Sequence, residues 1–144
     1  MLNFEKIHAE DISNLVEISK KSFNDSSLYM PTGYNDYSWF LNKLPLSFIF
    51  KILFNGAIIG GFILFRTSSY NYQLERIFIL PEYQNTGIGT KAISFITNRF
   101  PEAKVLFVDI MPTQTLYKSF LHHCGFFESN YVSNPAVRLI KLIK

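Results

Sequence analysis

The residues of this chain best suited to chemistry are Gln84-Asn85-Thr86-Gly87-Ile88-Gly89-Thr90, which place two glycines at the mouth of an apolar-periodic segment. A helix beginning there leaves its first backbone N–H groups unpaired and points the positive end of its dipole outward. That is a phosphate-binding turn in outline. Other reactive side chains are sparse. His122 and His123 are adjacent, so on a helix they project about 100° apart, and no acidic or thiolate partner stands beside them at metal-ligand spacing. They read as exposed residues of a helix's last turn, and no metal is expected. Cys124, the single cysteine, falls on the apolar face of the same segment and reads as a small buried hydrophobe. No Ser-His-Asp arrangement is legible.

The elements on either side must hold the turn. Leu74 to Leu80 is rich in β-branched and aromatic residues and stops at Pro81, so it reads as a strand with Glu75 on one face. Ile88, Ala92, Phe95, Ile96 and Arg99 recur at helical steps until Pro101 closes the segment. The spacing Gly87-x-Gly89-x-x-Ala92, with Asp109 about 20 residues on, also fits the loose dinucleotide-binding fingerprint. Context argues against that fit. Pro81 to Thr86 separate the strand from the first glycine, and only about 35 residues follow Asp109, too few for the rest of a doubly wound sheet.

The run from Leu74 to Gly89, Leu-Glu-Arg-Ile-Phe-Ile-Leu-Pro-Glu-Tyr-Gln-Asn-Thr-Gly-Ile-Gly, resembles the strand-loop-helix signature of the GNAT superfamily of N-acetyltransferases. That signature is Arg/Gln-x-x-Gly-x-Gly/Ala after a strand ending in an apolar-x-Pro step, and Pro81, Gln84, Gly87 and Gly89 match it. The resemblance implies that Gln84, Asn85, Thr86, Gly87, Ile88, Gly89 and Thr90 hold the pyrophosphate of acetyl-CoA, a co-substrate used without a metal. It implies that acetyl-CoA enters between the strand of Ile77 to Ile79 and that of Val105 to Asp109, with the thioester oxygen on backbone N–H groups near Phe78 and Ile79. Glu75 is then the candidate to take the amine proton, often through water; pairing with a basic neighbour is its alternative role.

One part of the family pattern is missing. The usual Asn-x-x-Ala-x-x-x-Tyr-x-x-x-Gly-Phe, aligned on Gly125-Phe126, puts Gln114, Tyr117 and Leu121 at its asparagine, alanine and tyrosine positions. The usual acid for the departing thiolate is therefore absent. Tyr117, one turn earlier on the same face, is the substitute on offer, and Gln114 keeps an amide for the cofactor. A cysteine-like thiol with a pKa of about 8.5 can also leave as thiolate near neutrality without an acid. By the same resemblance Tyr29, Tyr34 and Trp39 belong to a loop and second helix that overhang the acceptor, the alternative being that they are core and rim aromatics. The acceptor is then a small-molecule amine or a protein N-terminus or lysine. The rival readings are transfer of another acyl group and a CoA-binding or protein-interaction module that has lost catalysis.

At 144 residues the chain is expected to be a single domain, 1–144, large enough to bury a proper core. With 15 Phe and 8 Tyr it is too aromatic for a disordered chain. The formal charge of +3 comes from scattered cations such as Lys20-Lys21, Lys43, Lys51, Lys104 and Lys141, without the clustered patch that nucleic acid requires. One cysteine suits a reducing compartment. The acidic N-terminal region lacks a signal-peptide pattern and no stretch is long enough to span a bilayer, so the expected location is the cytoplasm, away from membranes.

In chain order the sequence predicts a strand at Leu2–Ile7, a helix opened by His8-Ala9-Glu10-Asp11 and ended by Asn24 to Ser27, and a short helix around Tyr37 to Leu44. Ser47–Phe54 and Ile58–Arg66 form a hairpin about Asn55-Gly56, with Gly60-Gly61 marking a bulge or a close backbone approach. Thr67 to Asn71 reads as a turn, Lys104–Ile110 as a strand, and Thr113–Cys124 as a helix capped by Thr113 and stopped by Gly125, with Leu116, Tyr117, Phe120, Leu121 and Cys124 on one face. Phe126–Val132 and Val137–Ile143 make a closing pair, and an exposed strand there would suit a homodimer as well as a monomer. The expected fold class is α/β (α+β): a GNAT-like, mostly antiparallel mixed sheet of about seven strands, splayed between strands 4 and 5 and flanked by about four helices.

Overall fold

The computed structural model describes residues 1–23, 30–133 and 135–143. Seven strands form one sheet in the order β1-β2-β3-β4-β5-β7-β6. They are β1 (Leu2–Lys6), β2 (Phe48–Phe54), β3 (Ala57–Arg66), β4 (Asn71–Ile79), β5 (Val105–Ile110), β6 (Phe127–Ser133) and β7 (Ala136–Leu142). The helices are α1 (Ile12–Ser22), α2 (Tyr37–Lys43), α3 (Ile88–Arg99) and α4 (Thr115–His123). Every neighbouring pair is antiparallel except β4 with β5. This is the mixed sheet that the sequence predicts.

The β2-β3 hairpin turns on Asn55 and Gly56, whose φ values of 50° and 85° are the two positive angles that a tight two-residue turn of this hand requires. β3, an interior strand between β2 and β4, buries both faces. Phe62 and Leu64 join one core cluster with Ala92, Ile93 and Ile96 of α3 and Leu121 of α4, while Ile63 joins another with Leu15 of α1 and Phe40 of α2. Each of the Phe, Leu and Ile side chains among them stabilises the fold by about 1.5–3 kcal/mol relative to leaving it exposed. The two clusters separate the sheet's faces into an α3/α4 side and an α1/α2 side. Gly60 lies next to a bulge and also at a close backbone approach. Ile59 is an extra residue between the pairings Ile52↔Gly60 and Leu53↔Ile58, and a Cβ on Gly60 would stand 2.4 Å from the Phe78 carbonyl oxygen of β4.

Three expectations need correction. β4 begins at Asn71, three residues ahead of the predicted start at Leu74; Asn71 and Gln73 are polar, but Tyr72 between them is 1% exposed, and these three residues carry the whole pairing with β5. Thr113 does not cap α4, because the helix starts two residues later with Gln114 at its N-cap. Leu116 does not share the apolar face of α4; it is 83% exposed, whereas Leu121 is fully buried. The predicted end of α1 at Asn24–Ser27 lies outside the described residues.

Candidate active site

The site begins where β4 and β5 part. Asn71, Tyr72 and Gln73 pair with Val105, Leu106 and Phe107, and beyond them no pairing joins the two strands. The backbone of β4 from Leu74 onward therefore has a partner on its β3 side only. Leu80 N–H donates to Ile59 O at 2.8 Å, which makes Gly61 and Phe78 a hydrogen-bonded pair and turns the N–H groups of Ile77 and Ile79 away from β3. Of the two amides expected at the thioester, that of Ile79 faces the gap and that of Phe78 is spent on the sheet; the Ile77 amide faces the gap in its place.

Glu75 stands beside the same gap. β4 bulges between the pairings Leu74↔Leu64 and Arg76↔Ile63, leaving Glu75 unopposed. Arg76, 3% exposed, reaches the Glu75 carboxylate with Nε and with Nη2, the latter at 2.9 Å. Nη2 also donates to Thr32 O at 2.7 Å, the guanidinium lies 4.1 Å from the centre of the Trp39 ring, and Nη1 has no hydrogen-bond partner among the described residues. Glu75 thus has the basic partner that the sequence left as an alternative. Its side chain keeps 24% exposure, enough to meet a water or an amine.

Tyr117 approaches from the α3/α4 side. Its hydroxyl is buried and has no hydrogen-bond partner among the described residues, and its ring stacks with Phe120 at 6.3 Å. Burial chiefly, with the charge of Glu75 and then of Cys124 adding, pushes the phenol well above its usual range. It is therefore protonated at neutral pH. Leu121, in the position where the resemblance expects a tyrosine, is a fully buried core residue.

The loop after β4 is shaped by its own side chains and by two left-handed residues. Gln84 Nε2 donates to Ile79 O at 2.8 Å, tying the loop to the end of β4, and Thr86 Oγ1 donates to Tyr83 O. Asn85 at φ 61° and Gly87 at φ 86° turn the chain into α3. Gly87 is the N-cap without a side-chain cap, and the first helical bond is Lys91 N–H to Gly87 O, so the N–H groups of Ile88, Gly89 and Thr90 precede the helical ladder. A Cβ on Gly87 would meet nothing within 4 Å. The open, uncapped N-terminus fits a pyrophosphate. Gly89 answers to packing instead, since its Cβ would come 2.9 Å from the Phe120 ring. Ile88 is buried in the core.

The remaining candidates are placed as follows. Gln114 Oε1 accepts from Met111 N–H at 2.8 Å, which leaves its NH₂ as the end available to a ligand. Trp39 packs on Arg76 and against Gly33 and is half-buried, as is Tyr34 in the turn that Tyr34 N–H closes onto Pro31 O. Tyr29 lies outside the described residues. Asp109, the acid of the dinucleotide fingerprint, is forked by Arg138 at 2.8 and 3.0 Å. Burial raises the pKa of Cys124, which keeps it a thiol, and His122 and His123 are exposed. Among the described residues no group of three or more His, Cys, Asp or Glu is placed to hold a metal ion, and no helix is long and apolar enough to cross a membrane. Arg76 and Thr32 were missed. The available signal was two adjacent charges in an otherwise apolar strand, since a charge buried there needs a partner.

The fold is thus a mixed sheet opened between two parallel strands, with an uncapped helix N-terminus following the first of them. The chain belongs to the acetyltransferase (GNAT) family, whose model matches residues 11–126; its class is that of the acetyl-CoA-dependent N-acetyltransferases. An uncharacterized N-acetyltransferase of Schizosaccharomyces pombe is 23% identical over 146 residues, covering 98% of this chain and 99% of that protein. Among solved structures, the PaiA N-acetyltransferase of Thermoplasma acidophilum in complex with coenzyme A superposes with a TM-score of 0.86 at 16% identity, over 99% of both chains. The ribosomal-protein-S18-alanine N-acetyltransferase of Escherichia coli gives 0.80 at 14% identity, over 100% of this chain and 95% of its own.

Proposed function

We propose that residues 1–144 form one catalytic domain that passes an acetyl group from acetyl-CoA directly to a primary amine while both substrates are bound. The observation that carries this reading is the shared gap between β4 and β5, which is faced by the Ile77 and Ile79 amides and flanked by Glu75. Acetyl-CoA supplies the thioester. Gly87 to Thr90 offer unspent amides and a helix dipole to its pyrophosphate, and Gln114 offers its NH₂. The outward amides of Ile77 and Ile79 stabilise negative charge on the thioester oxygen, and Glu75 accepts the amine proton, through water where the two do not touch. Tyr117, held protonated, donates its O–H toward the departing sulfur.

The acceptor class is an amine on a small molecule or at a protein terminus or lysine; the alanine named for the Escherichia coli relative supports the protein arm. Tyr29, Tyr34 and Trp39 are the candidate acceptor contacts. We place the protein in the cytoplasm, as a monomer or homodimer, away from membranes and nucleic acid. Initial rates of thiol release from acetyl-CoA, measured across a matrix of acetyl-CoA and amine concentrations, test direct transfer: intersecting lines are expected, and parallel ones would indicate a covalent acetyl-enzyme.

The buried Leu121 in the tyrosine position favours a second reading, a fold that binds CoA without turnover. Tyr117→Phe separates the two. The variant removes a buried hydroxyl that has no hydrogen-bond partner among the described residues, so it should fold with unchanged or slightly higher stability. Its kcat should drop by about 10-fold or more if the phenol serves the sulfur, and thiol release absent from the parent itself would favour the second reading.

A further inference from the structure

Adjacent residues of a regular strand point to opposite faces, so Glu75 and Arg76 should not meet. They meet because the bulge at Glu75 breaks the alternation. The Arg76 side chain then makes three kinds of contact at once: it forks the Glu75 carboxylate, donates to Thr32 O at 2.7 Å, and lies 4.1 Å from the centre of the Trp39 ring. Gly33, beside Thr32, sits so close to that ring that a Cβ would come within 2.1 Å of it. The segment of Thr32 and Gly33, the ring of α2 and the carboxylate on β4 are therefore joined through one buried guanidinium.

We infer that Arg76 is a positioning residue, which ties the orientation of the Glu75 carboxylate to the seating of Thr32, Gly33 and Trp39 on the α1/α2 side of the sheet. The inference rests on the reading of Glu75 as the base. Lysine cannot stand in for arginine here: an ammonium neither forks a carboxylate nor stacks on an indole as a guanidinium does. Nor is the contact a surface ion pair, since 2% of the Arg76 side chain is exposed.

The test uses the full chain and its single tryptophan, Trp39. Arg76→Lys, Glu75→Gln and the double variant are compared with the parent by acrylamide quenching of Trp39 fluorescence and by thiol release from acetyl-CoA, with spermidine and an alanine-initiated peptide as amines. Arg76→Lys should lower kcat on the order of 10- to 100-fold, the effect of a displaced catalytic group, with KM for acetyl-CoA unchanged. In the Glu75→Gln background it should add less than about twofold, because both changes act on one unit. Quenching should rise in both single variants, including the one that leaves Arg76 and Trp39 in place.

Multiplicative losses in the double variant, or Trp39 quenching indifferent to Glu75→Gln, would overturn the inference. A loss of melting temperature with KM for acetyl-CoA raised alongside would show an ordinary structural role and also overturn it. Parental turnover in Glu75→Gln would overturn the base reading alone. In that case, and in the case that neither amine is turned over, the quenching response to the two single variants decides the coupling.

Discussion

Glu75→Gln is expected to lower kcat by about 10²- to 10⁴-fold, the range that a positioned general base contributes, while acetyl-CoA binds as it does to the parent. Glutamine is nearly isosteric, so the bulge of β4 need not move, but it keeps only one oxygen for Arg76 and so breaks the fork that helps to seat Trp39. It carries no charge and cannot hold the amine proton. Binding should survive because the loop of Gln84 to Thr90 is built from its own contacts, Gln84 to Ile79 O and Thr86 to Tyr83 O, none of which involves Glu75. Thiol-release rates and the acetyl-CoA-dependent melting shift, measured on the same preparation, check both halves. Parental kcat would show that the amine loses its proton to solvent, and Glu75 would then be only the partner of Arg76.

The two glycines of the loop should fail for different reasons. Gly87 has φ 86° and open space around its Cα, so its substitution meets strain and ligand, not protein. Asp tolerates that left-handed conformation better than most residues, at roughly 1–2 kcal/mol. Gly87→Asp should therefore fold, yet it places a carboxylate where the pyrophosphate is held. At 4 Å and an effective dielectric of about 20, two like charges repel by about 4 kcal/mol, which lowers affinity on the order of 10³-fold. A Cβ on Gly89 would come 2.9 Å from the half-buried Phe120 ring, so Gly89→Val must displace that ring or part α3 from α4 and should cost about 1–3 kcal/mol of stability before any ligand is added. Melting temperatures without ligand, followed by isothermal titration with acetyl-CoA, separate the two. Equal loss of binding with equal stability would contradict the distinction.

Most of this fold is written locally. The Asn55-Gly56 turn, the spacing of Ile88, Ala92 and Ile96 and the stop at Pro101 each state a structure within a few residues, and the structure follows them. The start of β4 was hidden because Asn71 and Gln73 look like turn residues; what makes them strand is pairing with Val105 to Phe107, a contact remote in sequence. The site divides the same way. The turn at Gly87 was legible, because two glycines stand where the helical spacing of Ile88, Ala92 and Ile96 begins. The Arg76 fork was not, since it depends on a bulge that no periodicity reports and on a carbonyl at Thr32 from another part of the chain. Leu116 misled for a related reason: its spacing suits the apolar face of α4, but on that first turn it is Tyr117 that packs against the core while Leu116 turns to solvent.

The most direct test of the account is thermal denaturation of the unmodified chain with and without acetyl-CoA. At a ligand concentration about a hundredfold above Kd, binding adds about 2.7 kcal/mol, which raises the melting temperature by roughly 5 to 10 °C. That shift is the predicted result. An unchanged melting temperature, in a chain that folds and melts cooperatively, would contradict the assignment of Gln84 to Thr90 as the acetyl-CoA site and with it the proposed chemistry at Glu75.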